Sequence, residues 1–335
     1  MNKSRIEWID IVKGAAILAV MLGHIDWGEN PLCIWIYSFH MPIWFFLSGV
    51  LACRSSGAAK PALPVFVKRK AESLLYPYFT FSLISIVYIT ACTGFGKETL
   101  LLLAAMVSLL GISGAMWFLP VMFFSSVLFE ALQRLKLRSA VIFAVLMALI
   151  YIGDRYTPFE YYYAVQRVLI AVSFLYLGSF FGLCAGVIPG GKSARLFAGF
   201  VFLLCGMLLS HTNGLVDLHY GTMNNMFRYY GLALLGCIGF SLVGSNLTFP
   251  AWLKAPLTFL GKNSLIIMAT HVNLPFISWS RKLYALLLGP DGSGHRYEDD
   301  LMLLLILLVL EGITITLVNR FGKFLLHPKY LKKAE

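Results

Sequence analysis

The stretch IDIVKGAAILAVMLGH, Ile9 to His24, decides the fold. Apart from Asp10, Lys13 and His24 it is apolar or small throughout. A helix of this composition has no broad polar face to turn toward water, so it either sits in a large core or crosses a bilayer. The rest of the chain chooses between these. Of 335 residues, 59% are apolar and 13% charged, against about 25% charged in an ordinary soluble domain. Apolar blocks alternate with short polar connectors, as a bundle needs when each span takes about 20 residues. The expected fold is an all-α polytopic membrane protein with about ten transmembrane helices and both termini cytoplasmic. Residues 1–335 are read as one transmembrane domain.

The expected spans are Ile9 to Trp27, Ile34 to Cys53, Leu74 to Thr93, Met116 to Leu132, Ala140 to Ile152, Val168 to Cys184, Leu196 to Leu209, Tyr229 to Val243, Asn263 to Trp279 and Leu301 to Val318. The run Leu100 to Leu110 is also apolar, and hydropathy alone does not exclude it as a further span. Charge does. Nineteen of the 27 Lys and Arg residues fall in alternate connectors when this run is left outside the count, with Arg134, Lys136 and Arg138 on the inner side. Counting it as a span would place that cluster outside, against the positive-inside rule. The segment Pro61 to Leu75, with Lys68, Arg69 and Lys70 beside apolar side chains, is expected along the cytoplasmic interface.

A net charge of +11 raises the question of nucleic acid. The basic residues mark topology and form no phosphate-tracking stripe, so no nucleic-acid partner is expected. Cys92, Cys184, Cys205 and Cys237 lie in or beside apolar blocks, and Cys33 and Cys53 flank one span near opposite membrane faces, which predicts neither disulfide nor metal cluster. The basic, then apolar N-terminus resembles a signal peptide, but no small-x-small cleavage site follows, and it is read as a retained first span.

Ionisable groups inside a bilayer are costly and are functional suspects by default. The first span holds Asp10, Lys13 and His24, the second His40, the ninth His271. At 100° per residue Lys13 and His24 point within about 20° of one another and lie about 16 Å apart along the axis, with Asp10 one turn before Lys13. An Asp10–Lys13 pair could simply anchor the helix at the inner interface. His24 should lie about 4 Å below the outer end of its span and His40 about 9 Å below the start of the next, so both can face one outward-opening cavity. A histidine titrates near neutrality and can act as general base for a hydroxyl, whereas a lone buried histidine is more often a structural donor. Histidines on several spans can also ligate haem or metal, but none of these spans carries two, and no Cys or carboxylate stands at ligand spacing. Trp117 can be an interface-belt tryptophan, and Asn263 with Ser264 can cap the ninth helix.

At these residues the chain resembles the acyltransferase-3 family of integral membrane O-acyltransferases, in particular its fucose 4-O-acetylase-like and Nod-factor-acetylase-like branch. The resemblance rests on RIEWIDIVKGAAILAVMLGH, with a basic residue eleven before His24, and on IYSFHMPIWFFLSGVLACR, with Phe39 to Pro42 and then Ser48 and Gly49. Echoes continue in VKRKAESLLYPYFTFS, MWFLPVMFF and GKNSLIIMATH. Family members often carry Arg-x-x-Arg before the third span; here Glu72 stands three residues after Arg69. The resemblance implies transfer of an acyl group, usually acetyl from cytosolic acetyl-CoA, to a sugar hydroxyl of a glycan, lipid-linked saccharide or secondary metabolite. His24, His40 and Asp10 become the candidate catalytic residues, and Lys13 and Arg69 the candidate donor-binding residues, with no metal. The partners implied are the bilayer, an acyl-CoA and a saccharide acceptor, and the location is the inner (plasma) membrane, multi-pass. A secondary transporter or exporter of a sugar-like solute is the competing class, but the paired half-repeats with Gly or Pro interruptions common in carriers are not evident. A structural partner in glycan assembly would leave Lys13 and His24 without a role.

Overall fold

The computed structural model describes residues 6–25, 28, 30–54, 60–109, 114–135, 137–156, 162–184, 188–289 and 297–333, and every regular element among them is helical. Lys3, Arg5, Lys136 and Arg296 of the charge argument, and most of the connector after Gly289, lie outside the described residues. The helices are α1 (Glu7–Ile25), α2 (Pro31–Phe39), α3 (Pro42–Arg54), α4 (Leu63–Lys70), α5 (Tyr76–Thr93), α6 (Lys97–Val107), α7 (Phe118–Leu132), α8 (Ser139–Tyr156), α9 (Tyr162–Cys184), α10 (Lys192–Leu209), α11 (Met226–Asn246), α12 (Ala251–Lys262), α13 (Ser264–Thr270), α14 (Phe276–Leu288) and α15 (Tyr297–Phe321). Among the described residues eight spans are long and apolar enough to cross a membrane, counting α2 with α3 and α4 with α5, and α7 is a shorter apolar helix. The 11 residues of α6 reach only about 16 Å, too short to cross.

Local chemistry explains the breaks. Pro31 opens α2 behind Asn30, whose side chain accepts from the Cys33 backbone N–H at 2.8 Å, an N-cap. Pro42 carries no N–H and its ring crowds the carbonyl four residues back, so the second span bends at His40 and Met41. Pro77 does the same in the third span, and there the π-helical turn Ala71–Leu75 absorbs the misfit. The expected interfacial segment is therefore continuous with its span. Leu63–Thr93 is 31 residues, about 46 Å of helix against about 30 Å of hydrocarbon, which leaves the first turns with Lys68, Arg69 and Lys70 outside the core.

The ninth span differs from expectation. Pro275, with turns from His271 to Leu274, splits it into α13 and α14. Non-helical backbone at membrane depth is tolerated where protein or a cavity surrounds it, and His271, Asn273 and Thr270 are all buried.

The chain forms two compact units. The first comprises Met1–Gly23, Trp27–Lys60 and Leu128–Ser264. Its closest crossings run through glycine. A methyl group on Gly49 of α3 would strike the Leu175 carbonyl of α9, and one on Gly178 of α9 would strike the Phe46 carbonyl of α3, so each helix rests on the other's backbone. Gly199 and Gly239 play the same part between α10 and α11. Around these crossings Phe45, Phe46, Phe174, Tyr176 and Tyr229 are fully buried, while Phe197, Phe200, Leu204 and Leu208 leave one stripe of α10 open to lipid.

The second unit comprises His24–Asp26, Pro61–Val127 and Leu265–Glu335. Helix α15 shows its logic. Leu301, Leu305, Val309, Ile313 and Leu317 line an exposed stripe, and Leu303, Leu307, Glu311 and Ile315 a buried one. Tyr78 of α5 donates to the Met106 carbonyl of α6 at 3.2 Å, and Tyr284 of α14 to Asp299 of α15 at 2.6 Å.

Candidate active site

Asp10 and Lys13 occupy the first turns of α1, Asp10 buried and Lys13 half-buried. Their turn is clamped by backbone contact. A methyl group on Gly14 would meet the Leu257 backbone of α12, and one on Gly261 of α12 would meet the Asp10 carbonyl. Gly244 of α11 likewise leaves room for Val12. This end of α1 cannot shift without parting three helices, so the Lys13 stem is held at a defined place.

His40 closes α2. Its backbone N–H and its ring Nδ1 both lie on the Ile36 carbonyl, at 2.9 Å and 3.0 Å. A carbonyl only accepts, so Nδ1 carries a proton, and whenever the ring is neutral its lone pair is on Nε2. Tyr37 packs edge-on against the ring at 4.6 Å, and its hydroxyl donates to the Gly23 carbonyl at 3.5 Å.

The second unit holds His24 and His271 together. Their ring centroids are 5.2 Å apart with the planes inclined at 53°. His271 is fully buried, and its Nδ1 sits 2.6 Å from the Ile267 carbonyl. That is the His40 device repeated: the carbonyl four residues back fixes the tautomer and leaves Nε2 as the acceptor. His271 Nε2 is buried with no hydrogen-bond partner. Next to it, Thr270 Oγ1 stands 2.8 Å and 3.0 Å from the two carboxyl oxygens of Glu311, itself fully buried in α15. Asn273 donates to the Ala269 carbonyl at 3.3 Å while its own carbonyl oxygen is buried without a partner. Arg281 donates to the Ile25 carbonyl at 2.9 Å, so a cation closes the C-terminal end of α1 and helps set His24. The unit thus brings together two imidazoles, a carboxyl, a hydroxyl and an amide. Such a set can take a proton from a hydroxyl and move it on.

His271 is an expected intramembrane ionisable group without an expected role, and Glu311 is not among the expected candidates. The signal was present: one carboxyl group stands inside LLLILLVLEGITITLV, Leu303 to Val318. Of the other candidates, Arg69 is exposed at the end of α4 in the second unit, between Lys68 and Lys70. Trp117 is 5% exposed, so it is a packed residue and no lipid-facing belt tryptophan. Asn263 donates to the Phe259 carbonyl at 2.8 Å and ends α12. Among the described residues no three His, Cys, Asp or Glu side chains lie together as a metal site.

A second polar cluster, also unread in the sequence, occupies the connector after α10. Asn213 donates to the Met223 carbonyl at 3.0 Å and Asn224 to the Asn213 carbonyl at 2.7 Å, drawing the loop into a compact hairpin. Inside it Asp217 accepts from the His219 backbone N–H at 2.7 Å. Burial raises the Asp217 carboxyl above its ordinary value, opposed by that N–H and by Arg167 of α9. Burial, helped by Arg167, lowers His219 to about 4. Exposed Tyr220 packs edge-on against His219 at 4.8 Å.

A family model described as an acyltransferase domain matches residues 6–318, which takes in both units and every candidate residue above. No curated protein and no solved structure matches the chain significantly.

Proposed function

Because the chain belongs to the acyltransferase-3 family and is a membrane acyltransferase, we propose that it is an O-acyltransferase of the inner (plasma) membrane. It moves an acyl group, acetyl in this reading, from cytosolic acyl-CoA to a sugar hydroxyl of a surface glycan or lipid-linked saccharide. The observation that carries the proposal is the His24–His271 pair, in which His271 holds a protein-locked Nδ1–H tautomer and a buried, unengaged Nε2.

In the proposed step an imidazole Nε2 takes the acceptor's hydroxyl proton as the oxygen attacks the thioester carbonyl. The tetrahedral intermediate collapses with cleavage of the C–S bond, the ester forms, and the CoA sulfur leaves with the proton. His24, half-buried and in ring contact with His271, is the proposed base, and His271 orients it and shares the proton. His40 carries the same tautomer in the first unit and is the second proposed base. Asp10 and Lys13 belong to the donor end of α1, with Lys13 assigned to a CoA phosphate and Asp10 to setting its charge. Arg69 is proposed as a further basic contact for the donor at the inner surface. An apolar interior that excludes water spares the thioester from hydrolysis.

The test supplies membranes containing the protein with acetyl-CoA labelled in the acetyl group, followed by recovery of label in purified saccharide. Label in base-labile ester on the saccharide is expected. Solute movement across the membrane with no thioester consumed would replace the enzyme with a transporter.

A further inference from the structure

The first unit contains a cavity of about 360 Å³ that none of the candidate residues above lines. Its walls come from the start of α1 (Trp8), the end of α3 (Arg54), the start of α10 (Arg195) and the end of α11 (Ser245, Asn246). Two arginines line this space, and among the described residues no carboxylate does. Arg195 donates from Nη2 to the Ile188 carbonyl at 2.7 Å, which pins the fork, while its Nε is buried with no hydrogen-bond partner. Described lining residues that carry two permanent charges and a buried N–H donor, with no carboxylate among them, are complementary to a multiply charged oxyanion. Trp8 adds an indole to the same wall, and Asn246 and Ser245 add an amide and a hydroxyl. A phosphate-bearing aromatic heterocycle satisfies all of these at once, whereas a bare phosphate leaves the indole unused.

Placement agrees with this chemistry. The ends of α1, α3, α10 and α11 that meet here all flank the connectors assigned to the cytosol on the charge distribution, and Lys13 lies little more than one turn of α1 beyond Trp8. We infer that this cavity, with Arg54 and Arg195 on phosphate and Trp8 against the base, takes the adenosine phosphate head of the acyl-CoA donor. The inference rests on the acyl-CoA reading above and adds the donor's anchoring site to it. An anionic lipid headgroup shares the phosphate chemistry but brings no heterocycle for Trp8.

The test uses the full-length protein in nanodiscs of phosphatidylcholine, with or without phosphatidylglycerol. Binding of labelled acetyl-CoA is measured at equilibrium, with adenosine 3′,5′-bisphosphate as competitor. The expected result is binding in both lipids, competition by the bisphosphate, and at least a tenfold loss of affinity for both ligands in Arg54→Gln/Arg195→Gln. Trp8→Leu should weaken both as well. Arg54→Lys/Arg195→Lys, which keeps the charge but not the fork, should lie between, and this graded series separates a binding defect from a folding one. If the wild type binds acetyl-CoA and the double Gln variant binds it equally well, the head lies elsewhere and the cavity assignment is overturned, with the acyl-CoA reading intact. If the bisphosphate does not compete and the variant instead loses co-purifying phosphatidylglycerol, the cavity is a lipid site and the assignment is again overturned. If the wild type binds no acetyl-CoA in either lipid, the donor reading fails and the assignment fails with it.

Discussion

The centroids of the His24 and His271 rings lie 5.2 Å apart although one belongs to α1 and the other to the turn that follows α13. His271 sits where Pro275 breaks the ninth span, directly after the last residue of α13. A membrane-depth interruption lined by Thr270, His271 and Asn273 is therefore a device for presenting polar groups as well as a departure from regular structure.

The first prediction treats the two rings as one unit. His271→Ala should lower turnover about 10²-fold with donor affinity kept, because it removes proton handling and no donor contact. His24→Ala/His271→Ala should be little worse than the worse single variant, since groups acting in one step are non-additive. Initial rates of labelled acetyl transfer, normalised to inserted protein, give the cycle. Multiplying losses would mean that the rings act separately, and normal turnover in His271→Ala would reduce that residue to packing.

Thr270 and Glu311 set up the second prediction. Thr270→Val keeps the shape of the side chain but strips a buried carboxyl group of its hydroxyl partner, which costs about 1–3 kcal/mol. The thermal midpoint of Thr270→Val should fall, and Thr270→Ser should restore it. Glu311→Gln, which preserves volume and hydrogen bonding, should hold the midpoint and lose transfer. A Glu311→Gln enzyme with full activity would make the carboxyl group purely structural.

What the sequence disclosed and what it withheld divide along physical lines. Hydropathy and charge register every residue on its own, so the spans on either side of Gly49 and Gly178, the short α6 and the Lys13-to-His24 stripe could all be read directly. Pro275 was legible too, but one proline inside an apolar run does not say whether the helix kinks or stops. Glu311 is hidden because the fifteen other residues of Leu303 to Val318 average its charge away in any window long enough to find a span. The contact of His24 with His271 and the convergence of Arg54 with Arg195 are tertiary facts that no local period encodes.

The connector after α10 supplies a pH prediction. His219 falls from an ordinary 6.5 to about 4 in the closed loop, so between these values the opened loop binds a proton that the closed loop refuses. Its contribution is whole above pH 6.5 and is lost as the pH falls toward 4. Asp217, whose pKa is raised, acts with the opposite sign: ionising it in place disfavours the closed loop as the pH rises through its folded value. His219→Asn should therefore abolish the acid-side loss and leave protection that increases on acidification, and Asp217→Asn should leave only the His219 trend. Hydrogen-exchange protection factors for residues 217–223, corrected for intrinsic rates, report both. Identical profiles in wild type and His219→Asn would show that this imidazole does not govern the loop.

The last prediction separates the two ends of α1. Lys13 and His24 lie on one helix of 19 residues, eleven positions and about 16 Å apart along its axis on nearly the same face. Gly14 and Gly261 hold the Lys13 end by backbone contact with α12, and Arg281 holds the other end through the Ile25 carbonyl. A helix fixed at both ends keeps a charge and an imidazole at a constant separation. That spacing suits a donor whose phosphates bind near Lys13 while its pantetheine arm carries the thioester outward. Lys13→Ala should then raise the acetyl-CoA KM about tenfold with kcat nearly kept, since a lost charge-to-phosphate contact acts on binding. Lys13→Arg should recover most of the affinity. His24→Ala should do the reverse and drop kcat about 10²-fold at an unchanged dissociation constant for acetyl-CoA. Gly261→Val, which pushes α12 off Asp10, should resemble Lys13→Ala in the donor term, because it displaces the turn that carries the lysine. An untouched donor affinity in Lys13→Ala, or normal turnover in His24→Ala, would show that the stripe anchors the helix and that the chemistry is done by other residues.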